Sequence, residues 1–562
     1  MSFLKQFAFF FGLVLCLSVA CFMYIGRPSM GIDDANIFFT YARNIAGGHG
    51  FVFNVGGERV EGFTSLLWVL ICALAYCITS NPEFILLFVL LVLTSLSVTI
   101  VYRELKKDMD ALDPVVSAKY GIWIYSAFIV CIAPAFITWS VLSLMENGLW
   151  NLIYLLNIML LLRAFSKAEL SLAETSWLAL AGVLLLLTRP EGLAWGVVFT
   201  IILAIGRWRH RKNFSVALIY FAAVGLTAAA LTLFRLRYFG YPFPNTYYAK
   251  VSHNLLYNIR NGAEYAFLFV VTYHPLITIL LSVMVVVSLR GWRTVTRLRS
   301  ADGEDELTQR IAVVTALIMI GILIPFTTGG DHFGSFRFYQ SFQLLFAWGL
   351  VAATMLYRQA ALRKIRTAVI TALMSVFLFF VFFAADGMYS LRSAPQNQLN
   401  YEFYLASQGR RIASEVNALW PNDPPSTGMV AVGGFAYKYR GTTVDLMGLN
   451  DTLMGHNKGD RTGIKNHAAF NKEVFYKLQP QLLLPKIIGR EEDATVTFND
   501  LRNEFNFENR ALKHILNDSS FNRLYEPVML RKLPGPPLFA FVHENFLNKV
   551  KGDTSVTIVR IR

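Results

Sequence analysis

Long apolar runs dominate the chain up to residue 385. A bilayer crossing needs about 20 mostly apolar residues. Runs of that kind fall at roughly 5–25, 83–102, 119–138, 148–163, 171–187, 191–206, 214–236, 264–287, 311–327, 339–357 and 367–385. A further run, 64–80, decides the topology. If it crosses the membrane, Arg103, Lys106 and Lys107 lie opposite the later basic loops; if it lies in the interface, every strongly basic loop falls on one face. Those loops are Arg103–Lys107, Arg163–Lys167, Arg207–Lys212, Arg290–Arg310 and Arg358–Arg366. The positive-inside rule selects the second arrangement, with about 11 transmembrane helices and 64–80 as a juxtamembrane helix. Segments 26–82, 139–147, 188–190, 237–263, 328–338 and everything after 385 then face outward.

After residue 385 the pattern changes. Tyr401–Leu419 has helical periodicity, ended by Trp420-Pro-Asn-Asp-Pro-Pro425. Met429–Tyr439 and Thr442–Met447 read as strands around an Arg440-Gly441 turn, and Val474–Leu478 as a helix leading into a buried strand at Gln481–Leu484. The expected organisation is a transmembrane domain over 1–385, including the first outer loop 26–82, and a soluble mixed α/β domain over 386–562. At about 175 residues the second domain can hold its own core.

Composition sharpens the class. Hydrophobic residues make up 55% and charged residues 16% of the 562, where a soluble protein carries about 25% charged. The 46 Phe, 24 Tyr and 10 Trp suit membrane cores and interfacial belts. The net charge of +14 sits in short loops between apolar runs, with no basic stripe interleaved with aromatics on a soluble segment, so no nucleic-acid partner is expected. Cys16, Cys21, Cys72, Cys77 and Cys131 all lie in apolar stretches, and the C-terminal domain carries none. The N-terminus reads as an uncleaved first span.

The unusual polar residues gather on the outward side. Asp33 and Asp34 open a helix whose apolar face runs Ile37, Phe38, Tyr41 and Ile45, closed by Gly47-Gly48. One aspartate can serve as an N-cap. Adjacent helical positions diverge by about 100°, so the other is free to point into a cavity and deprotonate a hydroxyl or hold a cation. Phe51–Thr64 reads as a hairpin turning at Gly56-Gly57, where Arg59 pairs with Glu61 or, like Arg43, binds a phosphate. Four more outward patches follow: Glu146 at a span end, Arg189 and Glu191 in a short turn, Arg235–Lys250 with Asn245 and Tyr248, and Thr327–Phe338 with Asp331, His332 and Arg337. In so short an outer turn Arg189 would be costly unless paired or snorkelling. Cations suit phosphate, carboxylates suit acid–base work and aromatics suit sugar rings, so the set points to a lipid-phosphate-linked sugar. Asp331-His332 also reads as a metal pair, without the spacing of a metal motif. No P-loop, dinucleotide glycine pattern or Gly-x-Ser-x-Gly elbow occurs.

These blocks resemble a known family. Asp33-Asp34-Ala-x-Ile, Tyr41-Ala-Arg43-Asn44, Gly48-His-Gly-x-Val-x-Asn54 and Glu58-Arg-Val-Glu-Gly62 resemble the first outer loop of mycobacterial and corynebacterial terminal arabinofuranosyltransferases, polytopic enzymes of the GT-C superfamily. Met145-Glu146, Thr188-Arg-Pro-Glu-Gly192, Tyr238-Phe-Gly240, Pro244-Asn-Thr-x-Tyr-Ala-Lys250 and Gly329-Gly-Asp331 with Arg337-Phe338 resemble its later motifs, and Val444–Asp451 a C-terminal one. Gram-negative relatives attach arabinofuranose to pilin. The resemblance implies a GT-C fold and inverting transfer from a polyprenyl-phosphate sugar to an envelope glycan or pilin-like acceptor. It makes Asp33 and Asp34 the catalytic element. Arg43, Arg59, Arg189, Lys250 and Arg337 are then candidates for the donor phosphate, and Glu61, Glu146, Glu191, Asn245, Tyr248, Asp331 and His332 for substrate contacts. No nucleotide is needed at the site, and a divalent cation is compatible with it. The expected setting is a bacterial inner membrane, with the active site and C-terminal domain on the periplasmic side. A donor of another sugar, mannose-like for instance, and a lipid-linked sugar transporter or flippase are the alternatives; a non-catalytic scaffold for envelope partners is a third.

Overall fold

The computed structural model describes residues 1–26, 30–167, 169–207, 214–270, 275–295, 303–359, 399–459, 461–486, 494–532, 537–551 and 556–561. Its helices up to residue 359 are α1 (Phe3–Ile25), α2 (Asp33–Ala46), α3 (Leu66–Ile78), α4 (Glu83–Leu112), α5 (Pro114–Ile137), α6 (Asn147–Ser166), α7 (Leu172–Thr188), α8 (Gly192–Arg207), α9 (Phe214–Tyr238), α10 (Asn245–Lys250), α11 (Leu255–Leu268), α12 (Pro275–Val295), α13 (Gly303–Leu323) and α14 (Trp348–Gln359). Among the described residues six helices are long and apolar enough to cross a membrane: Phe3–Ile25, Glu83–Leu112, Pro114–Leu142, Asn147–Ala164, Phe214–Tyr238 and Glu306–Phe326. Leu66–Ile78, Leu172–Thr188, Gly192–Ile205 and Thr278–Leu289 are shorter apolar helices. Of the run expected at 264–287, α11 ends at Leu268 and α12 starts at Pro275, with 271–274 outside the described residues. The run 339–357 begins as a 3₁₀ segment, Arg337–Ala347, ahead of α14. The run 367–385 lies outside the described residues.

The chain divides into two compact units. The first comprises Met1–Ser29, Phe84–Ala230 and Asn258–Asn400. Its apolar interior is aromatic: Phe10 meets Tyr102 and Tyr125 edge-on, and Tyr154 meets Trp195 at 4.7 Å. Buried charge ties the helix ends. Glu104, with no exposed surface, accepts from Arg163 of α6 at 2.6 Å and from Lys107 at 2.8 Å, and Arg310 of α13 lies 3.4 Å away. Asp108 lies 2.9 Å from Arg310 and accepts from the Trp348 indole at 2.7 Å. Cations read from the sequence as loop markers are therefore partners of two buried carboxylates, which would be costly to leave unpaired.

The second unit comprises Met30–Glu83, Leu231–Tyr257 and Tyr401–Arg562. Its sheet has the order β2-β1-β3-β5-β4-β6, built from β1 (Thr427–Met429), β2 (Thr443–Asp445), β3 (Leu482–Leu484), β4 (Tyr525–Arg531), β5 (Leu538–His543) and β6 (Thr557–Arg560). Strands β2, β1 and β3 are parallel, and the rest of the sheet is antiparallel. The long helix α15 (Leu399–Leu419) and the helix before β3 (Lys472–Leu478) fall where the periodicity placed them. The strand read at Met429–Tyr439 is a correction: only Met429 belongs to β1, and Gly433–Lys438 form a short helix, α16. β1 and β2 are accordingly parallel neighbours joined through α16, not a hairpin. The side-chain amide of Asn54 donates to the Thr443 carbonyl and accepts from the Thr443 N–H, both at 2.9 Å, so it extends the edge strand β2 as one more peptide would.

Helix α16 packs so closely that its glycines have no substitute. A Cβ on Gly434 would stand 2.2 Å from the Ala406 carbonyl oxygen of α15. Gly434→Ala is therefore expected to destabilise the second unit by about 1–3 kcal/mol, typical of overpacking against backbone. An unchanged thermal unfolding midpoint in detergent would contradict this packing.

Candidate active site

Helix α2 opens without a side-chain cap of its own: the cap position is Ile32. The backbone leading into it is held by Asn36, whose amide donates to the Met30 carbonyl at 3.2 Å and the Ile32 carbonyl at 2.8 Å. Asp33 caps a different helix. Its two carboxylate oxygens accept the Gly433 and Gly434 N–H groups of α16 at 2.9 and 2.8 Å. Asp33 is 5% exposed. Burial pushes its carboxyl up to about 6; the two N–H bonds pull the other way, and Asp34 and Asp445 add to the rise. Against an ordinary value of 3.8, that is about 3 kcal/mol opposing the carboxylate at neutral pH.

Asp34 occupies the opposite situation. One helical step carries it away from α16, its side chain is 21% exposed, and the Lys250 ammonium stands 3.7 Å from its carboxylate. Lys250 ends α10, which is fixed at its other end by Asn245. The Asn245 N–H donates to the Glu61 carbonyl, and its amide donates to the Gly448 and Leu449 carbonyls at 2.8 and 3.0 Å. Glu61 does not pair with Arg59 across the hairpin. Arg235 holds it in a two-pronged bond at 2.8 and 2.9 Å, with burial pushing the Glu61 carboxyl up against that pull. Arg59 instead lies over the Tyr238 ring at 4.7 Å, and Arg43 donates to the Tyr437 carbonyl of α16. The Tyr248 ring sits 4.0 Å from that of His456, and its carbonyl accepts from Arg461. The structure thus brings Asp34 and Lys250 together at a partly open position, and gives Asp33, Arg43, Glu61 and Asn245 to the frame around it.

The first unit holds the other predicted residues. Arg189 donates to the buried Glu146 and to Glu191 at 3.0 Å. Burial would weaken the charge on Arg189, but Glu191 and Glu146 outweigh it and raise its pKa. Burial would likewise raise Glu191, which Arg189 holds below the ordinary range. Arg337 lies 2.8 Å from Asp331, whose other oxygen accepts the His332 N–H at 2.9 Å. Both guanidiniums approach the Phe338 ring, at 5.2 and 5.3 Å. A cavity of about 30 Å³, lined by Asn147, Trp150, Arg189, Glu191, Trp195 and Arg337 among others, adjoins them. That is room for about two waters. Three carboxylates face two guanidiniums here, so each arginine is already paired within the fold.

Several residues that organise the site gave little sign in the sequence. Asp445 accepts from the N–H groups of Met447 and Asn450 and from the Asn450 amide, which shapes the 446–450 loop; only its place in the Val444–Asp451 block marked it. Arg410 and Arg461, both buried, lie among ordinary helix and loop residues. Among the described residues no three His, Cys, Asp or Glu side chains are grouped as a metal ion requires.

No family model matches this chain, and no curated protein matches it. Solved structures do. The oligosaccharyltransferase of Archaeoglobus fulgidus in complex with zinc and sulfate is similar at 12% identity and a TM-score of 0.48, over 98% of this chain and 75% of that one. ArnT from Cupriavidus metallidurans bound to undecaprenyl phosphate is similar at 12% identity and a TM-score of 0.44, over 79% and 88%. The Archaeoglobus fulgidus AglB complex with an inhibitory peptide and a dolichol-phosphate is similar at 11% identity and a TM-score of 0.45, over 98% and 76%.

The buried carboxyls set a pH dependence of unusual sign. Burial raises Asp33 and Asp451 to about 6, and raises Asp445 as well. Each binds its proton more tightly folded than unfolded, so stability falls as pH rises from about 4 to 6 and levels off above. The thermal midpoint of the second unit is expected to be higher at pH 5 than at pH 7. Asp451→Asn keeps the cap on Met454, since Asn caps as well as Asp, and should shrink that difference. A midpoint that climbs between pH 5 and 7 would overturn the assignment.

Proposed function

We propose that the chain is a membrane glycosyltransferase in which Asp34 is the general base. The observation that carries this reading is the division of the acidic pair: Asp33 is consumed by α16, while Asp34 is partly open beside Lys250. A carboxylate in reach of solvent can accept a proton, and an adjacent ammonium can meet an anionic leaving group. In the proposed step the acceptor hydroxyl oxygen attacks the anomeric carbon as its proton passes to Asp34. The bond from that carbon to the phosphate oxygen breaks on the opposite face, which inverts the centre. Polyprenyl phosphate leaves with the electron pair, its charge countered by Lys250. Phosphate is already a competent leaving group, so the step draws on no nucleotide.

The finer reading rests on the sequence resemblance. The donor is a polyprenyl-phosphate sugar, with D-arabinofuranose the first to test, and the acceptor is an envelope glycan or a pilin-like protein. The site and the domain after residue 385 face the periplasm from a bacterial inner membrane. Arg59, exposed on the Tyr238 ring, is a candidate second phosphate contact. Arg189 and Arg337, each paired with carboxylates, suit the ordering of a polar pocket better than the capture of a phosphate.

The test is transfer by purified protein in detergent, offered radiolabelled polyprenyl-phosphate arabinofuranose beside its mannose analogue, with an alkyl arabinofuranoside as acceptor. Product from the arabinose donor is expected, and Asp34→Asn should lower it by at least about 100-fold, as loss of a general base does. Lys250→Met should also slow transfer. Full activity in Asp34→Asn would remove the base assignment. Movement of the donor across vesicles without glycosyl product would point to the transporter alternative.

A further inference from the structure

We propose that Arg410 is a positioning residue for Asp34, acting through the side-chain amide of Asn36. The proposal rests on the reading of Asp34 as the base, and concerns a residue that neither the motifs nor the resemblance marked. Arg410 lies on α15 and is 7% exposed. Its Nε donates to the Asn36 Oδ1 at 2.7 Å, and its Nη1 donates to Glu83 at 2.7 Å. Its guanidinium carbon lies over the Tyr437 ring, 4.1 Å from the centroid.

The chemistry of an amide explains why this matters two residues beyond Asp34. Asn36 offers one acceptor and two donors, and the two ends of the group are nearly the same shape. With a guanidinium donating to Oδ1, the NH₂ must face the Met30 and Ile32 carbonyls, where it is found. Those bonds hold the backbone entering α2, a helix with no side-chain cap of its own. Arg410 thus fixes which way the Asn36 amide points, and the amide fixes the first turn that aims Asp34. Tyr437 closes the circuit. It belongs to α16, the helix whose N–H groups bind Asp33, and its carbonyl accepts from Arg43 of α2.

A buried ion pair between Arg410 and Glu83 that merely holds the unit together would leave α2 indifferent to the fork. A planar fork meets two acceptors and a ring at once, whereas an ammonium is a point charge. Arg410→Lys should therefore fail where simple charge pairing would succeed.

The experiment uses the full-length protein in detergent with the transfer assay above, together with amide hydrogen exchange over residues 30–38. Arg410→Met and Arg410→Lys are expected to lower kcat by about 10- to 100-fold, the cost of a slightly misplaced catalytic group. KM for the donor should stay within about threefold, because the donor contacts remain. Exchange in 30–38 should quicken while the rest of α2 is unchanged. Combining Arg410→Met with Asn36→Ala should cost no more than the worse single variant, the signature of two residues acting in series. Wild-type kcat in a folded Arg410→Met protein overturns the proposal, as does a low kcat with unaltered exchange over 30–38. If Arg410→Met does not fold, Asn36→Ala decides: it must reproduce the loss of kcat, and full activity overturns the route. Inactivity of the wild type on every donor would count against the Asp34 reading, and the exchange measurement would still show whether Arg410 orders the turn.

Discussion

The second unit depends on one carboxylate meeting two backbone N–H groups. Asp33 and the Gly433–Gly434 pair are separated by 400 residues of chain and by 2.8–2.9 Å in space. Burying that charge is unfavourable and raises the carboxyl's pKa, and the two N–H groups offset part of the cost. The requirement spreads outward. The backbone must approach closely enough that a Cβ on Gly433 would stand 1.9 Å from the Asp33 carbonyl oxygen, while one on Gly434 would meet the Ala406 carbonyl oxygen of α15 at 2.2 Å. Tyr437, on the same short helix, then lies where Arg43 and Arg410 can reach it.

Two adjacent residues of one chemical type consequently have different lives. A turn of about 100° takes Asp33 into a dry clasp and leaves Asp34 partly in solvent with an ammonium for company. A comparable division separates the cations. Arg189 and Arg337 are surrounded by carboxylates inside the first unit, whereas Lys250 shares one partly exposed carboxylate and Arg59 lies on a phenol ring. Residue type alone does not distinguish an anion-binding cation from a structural one; the company it keeps does.

Local features were legible in the sequence, and long-range ones were not. The start and end of α2, the periodicity of α15 and the Lys472–Leu478 helix leading into β3 were readable because each depends on neighbours within a few residues. The stretch from Met429 to Tyr439 misled because its run of valines and aromatic residues matches a strand, while the glycines at 433 and 434 serve a packing demand set by α2 and α15. The expectation that an acidic residue would cap a helix was sound in kind, but the helix lay across the chain. Arg410 was invisible for the same reason: on α15 it reads as one charge among several, and only its partners Asn36 and Glu83 reveal its use. The pairing of Arg189, by contrast, was foreseeable from the cost of a lone cation there.

The span of chain between Asp33 and its glycines also has a consequence for biosynthesis. During translation Asn54 of the first outer loop is made 389 residues before its partner Thr443 in β2. Non-local closures of that kind come late in folding. The acidic pair must wait with its carboxylates hydrated until the last third of the polypeptide has been made. A nascent or truncated chain would carry both aspartates and lack the clasp that separates their roles. The order of synthesis therefore leaves the Asp33 clasp to close only after Gly433 and Gly434 have been made, long after the helix that carries Asp33.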